Sequence, residues 1–215
     1  MSTAKEHWNN AYGKYATEKP KYDLWLDKHQ DVLETSKEVP ILDLGCGRGN
    51  NSLYLSERGY KVISCDISEA AIKIVKEFVP EVEARVLDML EGLPFGEGSA
   101  KVIVADLSLH YFCWEDTLRI VNEIKRVLAQ GGYLLCRLNS TKDVNYGAGQ
   151  GSLIEAGYYD IEGNRKRFFD SEQIERLFEG WRMKYINECR MDRYGLPKLL
   201  WEVAVESQIY PDTLL

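Results

Sequence analysis

The sequence predicts a doubly wound α/β domain, and three observations carry that prediction. The first is Val39-Pro-Ile-Leu-Asp-Leu-Gly-Cys-Gly-Arg-Gly-Asn-Asn51, where a short apolar run breaks into alternating glycines and then into amphipathic sequence. A short apolar run bounded by turn residues reads as a buried strand. Glycines behind it tolerate positive φ and a close backbone approach to a ligand, which the free N–H groups of the following helix also face. The second is Tyr60-Lys-Val-Ile-Ser-Cys-Asp66, a strand pattern ending in an acid 21 positions after Gly45. An acid about 20 residues beyond such a loop is placed to accept hydrogen bonds from ribose hydroxyls. The third is the alternation of strand-length apolar runs with helical periodicity along the chain, the pattern of a sheet covered by helices on both faces.

The glycine spacing distinguishes between nucleoside cofactors. A dinucleotide fingerprint needs Gly-x-Gly-x-x-Gly; here Asn50 holds the sixth position and the third glycine comes early, at Gly49. The stretch Leu42-Asp-Leu-Gly-Cys-Gly-Arg-Gly49 instead resembles the first motif of the class I S-adenosylmethionine-dependent methyltransferases. Asp43 suits that reading, because a carboxylate before the loop favours a cationic amino acid moiety and would be awkward beside a pyrophosphate. The resemblance implies a Rossmann-like, mostly parallel seven-stranded sheet with an antiparallel C-terminal strand hairpin. It also implies S-adenosyl-L-methionine as cofactor and S-adenosyl-L-homocysteine as product.

Along the chain, residues 4–34 carry Trp8, Tyr12, Tyr15, Tyr22 and Trp25 among charges and read as one or two helices broken near Pro20. By resemblance this segment is a lid; Trp8 and Trp25 read first as packing, and the Tyr15 hydroxyl as within reach of the site. Asn50 to Arg58 reads as a helix ended by Gly59. Ser68 caps the next helix and Pro80 stops it. Val82 to Leu87 is the third strand. The segment Leu87-Asp-Met-Leu-Glu-Gly-Leu-Pro-Phe95 resembles the family's adenine-recognition turn, with Asp88 accepting from the exocyclic amine and the backbone of Met89 donating to the ring. Ile67 would lie beside the adenine face, or serve as an ordinary core contact.

Val102 to Ala105 is the fourth strand. By resemblance, Asp106 and Leu107 flank the methionine portion of the cofactor, while Ser108, His110, Tyr111 and Trp114 face the methyl acceptor. His110 reads as a general base or, preferentially, as a packed residue that orients the segment. Glu115 to Ala129 is an amphipathic helix, with Leu118, Val121, Ile124 and Leu128 as its apolar stripe, terminated by Gly131-Gly132 before a strand at Tyr133 to Leu138. Residues 139–167 read as a polar loop over the acceptor pocket. Arg165, Lys166 and Arg167 are expected at a solvated hairpin tip or, less favoured, on an anionic substrate. Asp170 or Ser171 opens another helix, and Trp181 to Arg190 and Lys198 to Gln208 are the last strands.

Length and composition agree with one domain over residues 1–215: a lid segment (1–38), a cofactor-binding core (39–139), a substrate-side loop or hairpin (140–170) and a C-terminal helix with strands (171–215). The net charge of -7 argues against a protein that grips nucleic acid through its phosphates. The five cysteines are scattered without Cys-x-x-Cys spacing, so neither a metal site nor a disulfide framework is expected. No window reaches membrane-span length, and the default is a cytoplasmic monomer or homodimer. The implied reaction is methyl transfer to an O, N or S nucleophile of a small molecule. Asp43, Gly45, Cys46, Gly47, Gly49, Asp66, Ile67, Asp88, Met89, Asp106 and Leu107 are the cofactor-side candidates, and Tyr15, His110 and Tyr111 the catalytic ones. Two alternatives stand beside it, an NAD(P)-dependent oxidoreductase and a non-catalytic S-adenosylmethionine-binding protein.

Overall fold

The computed structural model describes residues 3–15 and 17–208. The strands are β1 (Ile41–Leu44), β2 (Val62–Asp66), β3 (Glu83–Val86), β4 (Ala100–Asp106), β5 (Leu128–Asn139), β6 (Ser152–Glu155), β7 (Tyr158–Ile161), β8 (Asn164–Arg167), β9 (Trp181–Met191) and β10 (Lys198–Ser207). The helices are α1 (Ala4–Gly13), α2 (Gln30–Glu34), α3 (Asn50–Ser56), α4 (Glu69–Phe78), α5 (Trp114–Val127) and α6 (Ser171–Leu177).

Seven strands form one sheet in the order β3-β2-β1-β4-β5-β10-β9, parallel except for β10, which runs antiparallel to both β5 and β9. The chain therefore winds outward in both directions from β1, and the strand order reverses between β1 and β4. That switch point is where open α/β sheets place their ligands. Strand alternation sorts the core into two layers. Leu42, Leu44 and Ile103 face α5 and α6, through Ile120, Val121, Ile124 and Ile174. Ile41, Val102 and Val104 face α3, α4 and Trp25. All four β1 residues are buried, which explains why the run is apolar apart from Asp43.

Local signals set most element ends. The Ser68 hydroxyl accepts from Ala71 N (3.1 Å) at the start of α4. Asp170 and Gln173 form a reciprocal capping box on α6. The N-terminal segment holds α1, a single 3-10 turn at Trp25–His29 and the short α2. All five cysteines are free, with Cys65 and Cys136 buried in strands as expected.

Three expectations need correction. Helix α5 stops at Val127, and Gly131-Gly132 lie inside β5 at a register shift against β4 instead of ending the helix. A Cβ on Gly132 would lie 2.8 Å from Ala129 O and 3.0 Å from Lys101 O, so close strand approach is what requires glycine there. Residues 152–167, read as a polar loop or a hairpin, are not a loop; they take the antiparallel form, as a separate three-stranded sheet, β6-β7-β8. Arg167 is not at a solvated tip; it is 1% exposed, bonds to Ala156 O and Phe112 O, pairs with Glu155, and sits among Trp114, Tyr158 and Phe169. Buried cations need this kind of hydrogen-bonded, paired setting. Arg165 stays exposed near Asp160.

Gly132→Ala is expected to destabilise the protein by about 1–3 kcal/mol through backbone crowding. Gly13→Ala, with nothing within 4 Å of the new Cβ, is expected to be neutral or to stabilise by about 0.5 kcal/mol. Urea unfolding of the two variants checks the contrast.

Candidate active site

The glycine loop is held from behind by β2. Gly45 N and Cys46 N both donate to Cys65 O (2.8 and 2.9 Å). Gly47 N donates to Asp66 Oδ2 and Ser68 N to Asp66 Oδ1, each at 2.9 Å. Asp66 thus ties the loop to the start of α4. Burial raises its pKa, partly offset by those two backbone donors. A carboxylate has about four acceptor positions, so two remain for a ligand.

Close approach explains two glycines, though in a different way from the expected one. A Cβ on Gly45 (φ +70°) would meet Ser108 Cβ at 2.3 Å. Ser108, expected to face the acceptor, instead donates to Leu44 O (2.8 Å) and braces the loop. A Cβ on Gly47 would lie 2.8 Å from the Tyr12 hydroxyl. That hydroxyl belongs to α1, which packs on α4 and is fastened there by Asn9 Oδ1, accepting from Ser68 Oγ (2.8 Å) and Ala70 N (3.2 Å). Trp8 stacks on Tyr12 and meets the Tyr111 ring edge-on at 4.8 Å. An aromatic bridge therefore joins α1 to the segment after β4.

Beside the end of β2 lies an open cavity of about 540 Å³, lined among others by Ile67, Leu87, Asp88, Leu93 and Pro94. Asp88 Oδ1 accepts from Leu90 N (2.9 Å), which caps the 3-10 turn Met89–Glu91 and leaves Oδ2 with no hydrogen bond among the described residues. Met89 is half-buried and packs on the core below.

At the switch point the site is charged. The two oxygens of Asp106 accept from Arg137 Nε (2.6 Å) and Nη2 (2.7 Å), Arg193 Nη1 (3.0 Å) and Asn51 Nδ2 (3.2 Å). Asp23 bonds to both arginines as well. Burial alone would raise the Asp106 pKa, but the two guanidinium groups outweigh it and hold the carboxyl far below the usual range. Sequence reasoning missed Asp23, Asn51, Arg137 and Arg193; the one available signal was an arginine inside the buried run Leu134-Leu-Cys-Arg-Leu138. Leu107, next in the chain, has φ +55°. Left-handed backbone at a bulky residue is strained and clusters at functional sites.

Asp43 lies at the other side of the switch point, fully buried. Its Oδ2 accepts from Ser52 Oγ (2.6 Å), while Oδ1 has no partner. Burial, with Asp106 and Asp66 adding to it and the Ser52 bond opposing, pushes its pKa up to about 7.

On the acceptor side, His110 is 2% exposed and its Nδ1 has no partner. Burial and the charges of Lys198 and Lys166 push its pKa well below the ordinary value, so it is neutral at pH 7. Its ring rests against Tyr111 at 4.3 Å, and burial raises the Tyr111 hydroxyl pKa. Tyr15 is not brought to this group: it is 42% exposed, with the Arg48 guanidinium 4.6 Å over its ring. Trp114 opens α5, its N–H donating to Glu155 Oε1 (2.6 Å).

Comparison with known proteins supports a methyltransferase reading of the central part of the chain. A family profile described as a methyltransferase domain matches residues 42–136, from β1 into β5. Residues 42–136 are similar to a methyltransferase domain, in keeping with the class I S-adenosylmethionine-dependent methyltransferases that the glycine motif resembles. The demethylmenaquinone methyltransferase of Lactococcus lactis is 34% identical over 122 residues, covering 54% of this chain and 48% of that protein. The tRNA N(3)-cytidine methyltransferase METTL2 of Gallus gallus is 24% identical over 178 residues, covering 77% of this chain and 48% of that one. A solved methyltransferase structure from Methanosarcina mazei matches with TM-score 0.73 at 21% identity, over 87% of this chain and 100% of that one, which shows the fold. The chain spans about half the length of the curated relatives it matches.

The cofactor of this methyltransferase domain is S-adenosylmethionine, and the residues fit it. The open cavity at Ile67 and Asp88 has room for a planar base, and Asp66 keeps free acceptor positions beside it. The unpartnered Asp43 Oδ1 and the neighbouring acids suit a molecule carrying positive charge.

The raised pKa of Asp43 has a stability consequence with a definite sign. Between about pH 4 and pH 7 the unfolded chain has lost this proton while the folded chain keeps it. Folding stability therefore falls as pH rises through that window, by on the order of 4 kcal/mol for a shift of about three units. Asp43→Asn is expected to flatten this fall, as read by unfolding free energies of both proteins from pH 4 to 8; an equally steep fall in the variant would locate the effect elsewhere.

Proposed function

We propose that this methyltransferase domain transfers the sulfonium methyl of S-adenosylmethionine to an O, N or S nucleophile of a small molecule. The observation that carries the reading is the placement of Asp66, which clamps the glycine loop, and Asp88 beyond adjoining strand ends, with an open cavity lined by Ile67 and Asp88 between them and solvent. In this reading Asp66 accepts from the ribose hydroxyls. Asp88 Oδ2 accepts from the adenine amine, Met89 N donates to the ring, and Ile67 lies along its face. Gly45, Cys46, Gly47 and Gly49 present backbone to the amino acid portion, with Asp43 behind them. Asp106 has its oxygens engaged by Arg137, Arg193 and Asn51, so we assign it and Leu107 to positioning the methionine end.

When bound, S-adenosylmethionine supplies a methyl carbon attached to a good leaving group. The protein's share is then alignment and exclusion of water. Helix α1, the β6-β7-β8 sheet and the Arg193 segment all converge on the strand ends. Their convergence encloses His110 and Tyr111, which supports an acceptor small enough to enter; the net charge of -7 supports the same choice over a polynucleotide. A neutral, buried His110 is able to accept a proton from an acceptor or to hold Tyr111 in place. The exposed Tyr15 belongs to the lid's outer face in this reading. The segments 1–38, 39–139, 140–170 and 171–215 serve as lid, cofactor core, acceptor-side cover and closing edge; residues 1–2, 16 and 209–215 lie outside the described residues.

Calorimetric titration with S-adenosylhomocysteine is expected to show saturable one-site binding, and NADH none. NADH binding without S-adenosylhomocysteine binding would replace the reading with the oxidoreductase. Asp88→Asn, which keeps an oxygen to cap Leu90 N, is expected to weaken S-adenosylhomocysteine by about 1.5–3 kcal/mol, a charge-assisted bond, with little change in melting temperature. Unchanged affinity would remove Asp88 from the adenine site. Turnover of an acceptor by the wild-type protein would exclude a non-catalytic binding role.

A further inference from the structure

A second open cavity, also of about 540 Å³, lies on the opposite half of the sheet from the first, over the face of β5, β10 and β9 that carries Arg137, Glu202 and Cys189. None of the cofactor-side or catalytic candidates lines it. Its lining is rich in cations, in a chain whose net charge is -7. Lys21 and Lys28 come from the N-terminal segment, Arg137 from β5, and Arg190 and Arg193 from the end of β9 and the turn beyond it. Three acids stand among them, Asp23, Asp192 and Glu202.

Each of those acids is already committed. Glu202 Oε1 pairs with Lys28 Nζ (2.9 Å) and lies 3.3 Å from His29 Nε2. Asp192 Oδ1 accepts from Arg190 Nε at 2.7 Å. Asp23 is shared between Arg137 (2.9 Å) and Arg193 (3.0 Å), which also hold Asp106 behind the cavity wall. Lys21, whose carbonyl is tied to Asn50 Nδ2 at the start of α3, has no ion pair among the described residues. Arg193 Nε is buried and has no hydrogen-bond partner among them. Even with Asp106 counted, cations exceed acids here, and one buried donor is left unpaired, which costs free energy until an acceptor reaches it. The donors are held in place without a ligand: the Arg137 side chain is almost wholly buried, lies 4.6 Å over the Trp25 ring, and leaves β5 in register with Glu202 of β10. Preorganised donors spare a ligand the cost of ordering them.

We propose that this cavity binds the phosphate group of a small phosphorylated ligand, at a site separate from the cofactor cleft. The cations reach it from three stretches of chain, 21–28, 137 and 190–193. A tetrahedral phosphate offers oxygens in several directions at once, whereas a carboxylate offers two in one plane. Guanidinium forks match phosphate oxygens in pairs, and the lysines add point charges at the rim. The cavity of about 540 Å³ falls within the range of roughly 300–1,000 Å³ typical of small-molecule sites, so the phosphate is carried as an ester on a compact body. Tyr22 and Met191, in the same lining, supply apolar surface for that body. The site is independent of which acceptor is methylated.

The test is calorimetric titration of the full chain with phenyl phosphate, inorganic phosphate and benzoate at fixed ionic strength, with and without saturating S-adenosylhomocysteine. Saturable one-site binding of phenyl phosphate is expected in both conditions, with inorganic phosphate weaker and benzoate at least tenfold weaker. The double variant Lys21→Glu, Arg190→Glu alters the rim and leaves the Asp106 network intact. It is expected to weaken phenyl phosphate at least tenfold, and Lys21→Arg with Arg190→Lys to retain it, while both proteins melt as wild type does. Four results would each overturn the proposal: no saturation by phenyl phosphate, equal affinity for benzoate, loss of binding once S-adenosylhomocysteine is present, or unchanged affinity in the Glu variant. Inorganic phosphate binding as tightly as the ester would overturn the ester. Failure of the wild-type protein to bind S-adenosylhomocysteine would instead count against the cofactor reading, and the phosphate titrations without it still decide this site.

Discussion

The architecture depends on one carboxylate. Asp66 closes β2 and spends one oxygen on the Gly47 amide and the other on the Ser68 amide. The first bond fixes the glycine loop as it leaves β1; the second starts α4. Because α1 is fastened to Ser68 and Ala70 through Asn9, the covering helix is positioned by the same acid at one remove. Strand ends, loop and the packing of α1 are thus set by a single buried carboxyl group, whose lost hydration is replaced by fixed backbone donors that favour its charged form.

The charges at the switch point divide the site into two halves of different character. Asp43 and Asp66 face the loop with little cationic compensation, so that side favours positive charge, and burial raises both pKa values. Asp106 is neutralised by Arg137 and Arg193 and carries no free valence. A cationic cofactor would meet a favourable field on the Asp43 and Asp66 side.

Much of the site was legible in the sequence, and the reason is locality. The Leu42–Gly49 motif, the acid at Asp66 and the turn at Asp88 each act through their own backbone neighbours, so spacing along the chain carries their geometry. The parts that were not legible come from residues brought together over long separations. Arg137 reaches Asp23 across 114 positions, and Arg193 reaches the same acid across 170. Ser108 shows the same limit in reverse, since it looked like an acceptor contact until Gly45 packed against it. The glycines at 131–132 were read as a helix stop because a helix end and a strand bulge both call for glycine.

The sequence by itself determined the fold class, the strand that carries the glycine loop, and the acids that follow β2 and β3. Periodicity and turn chemistry are local properties, and they are written residue by residue. Only the tertiary structure decided which charges neutralise one another. Arg167 became a buried strut and Lys166, its neighbour, a half-buried cation with no ion pair among the described residues, because successive residues of a β-strand point to opposite faces and only packing says what each face meets.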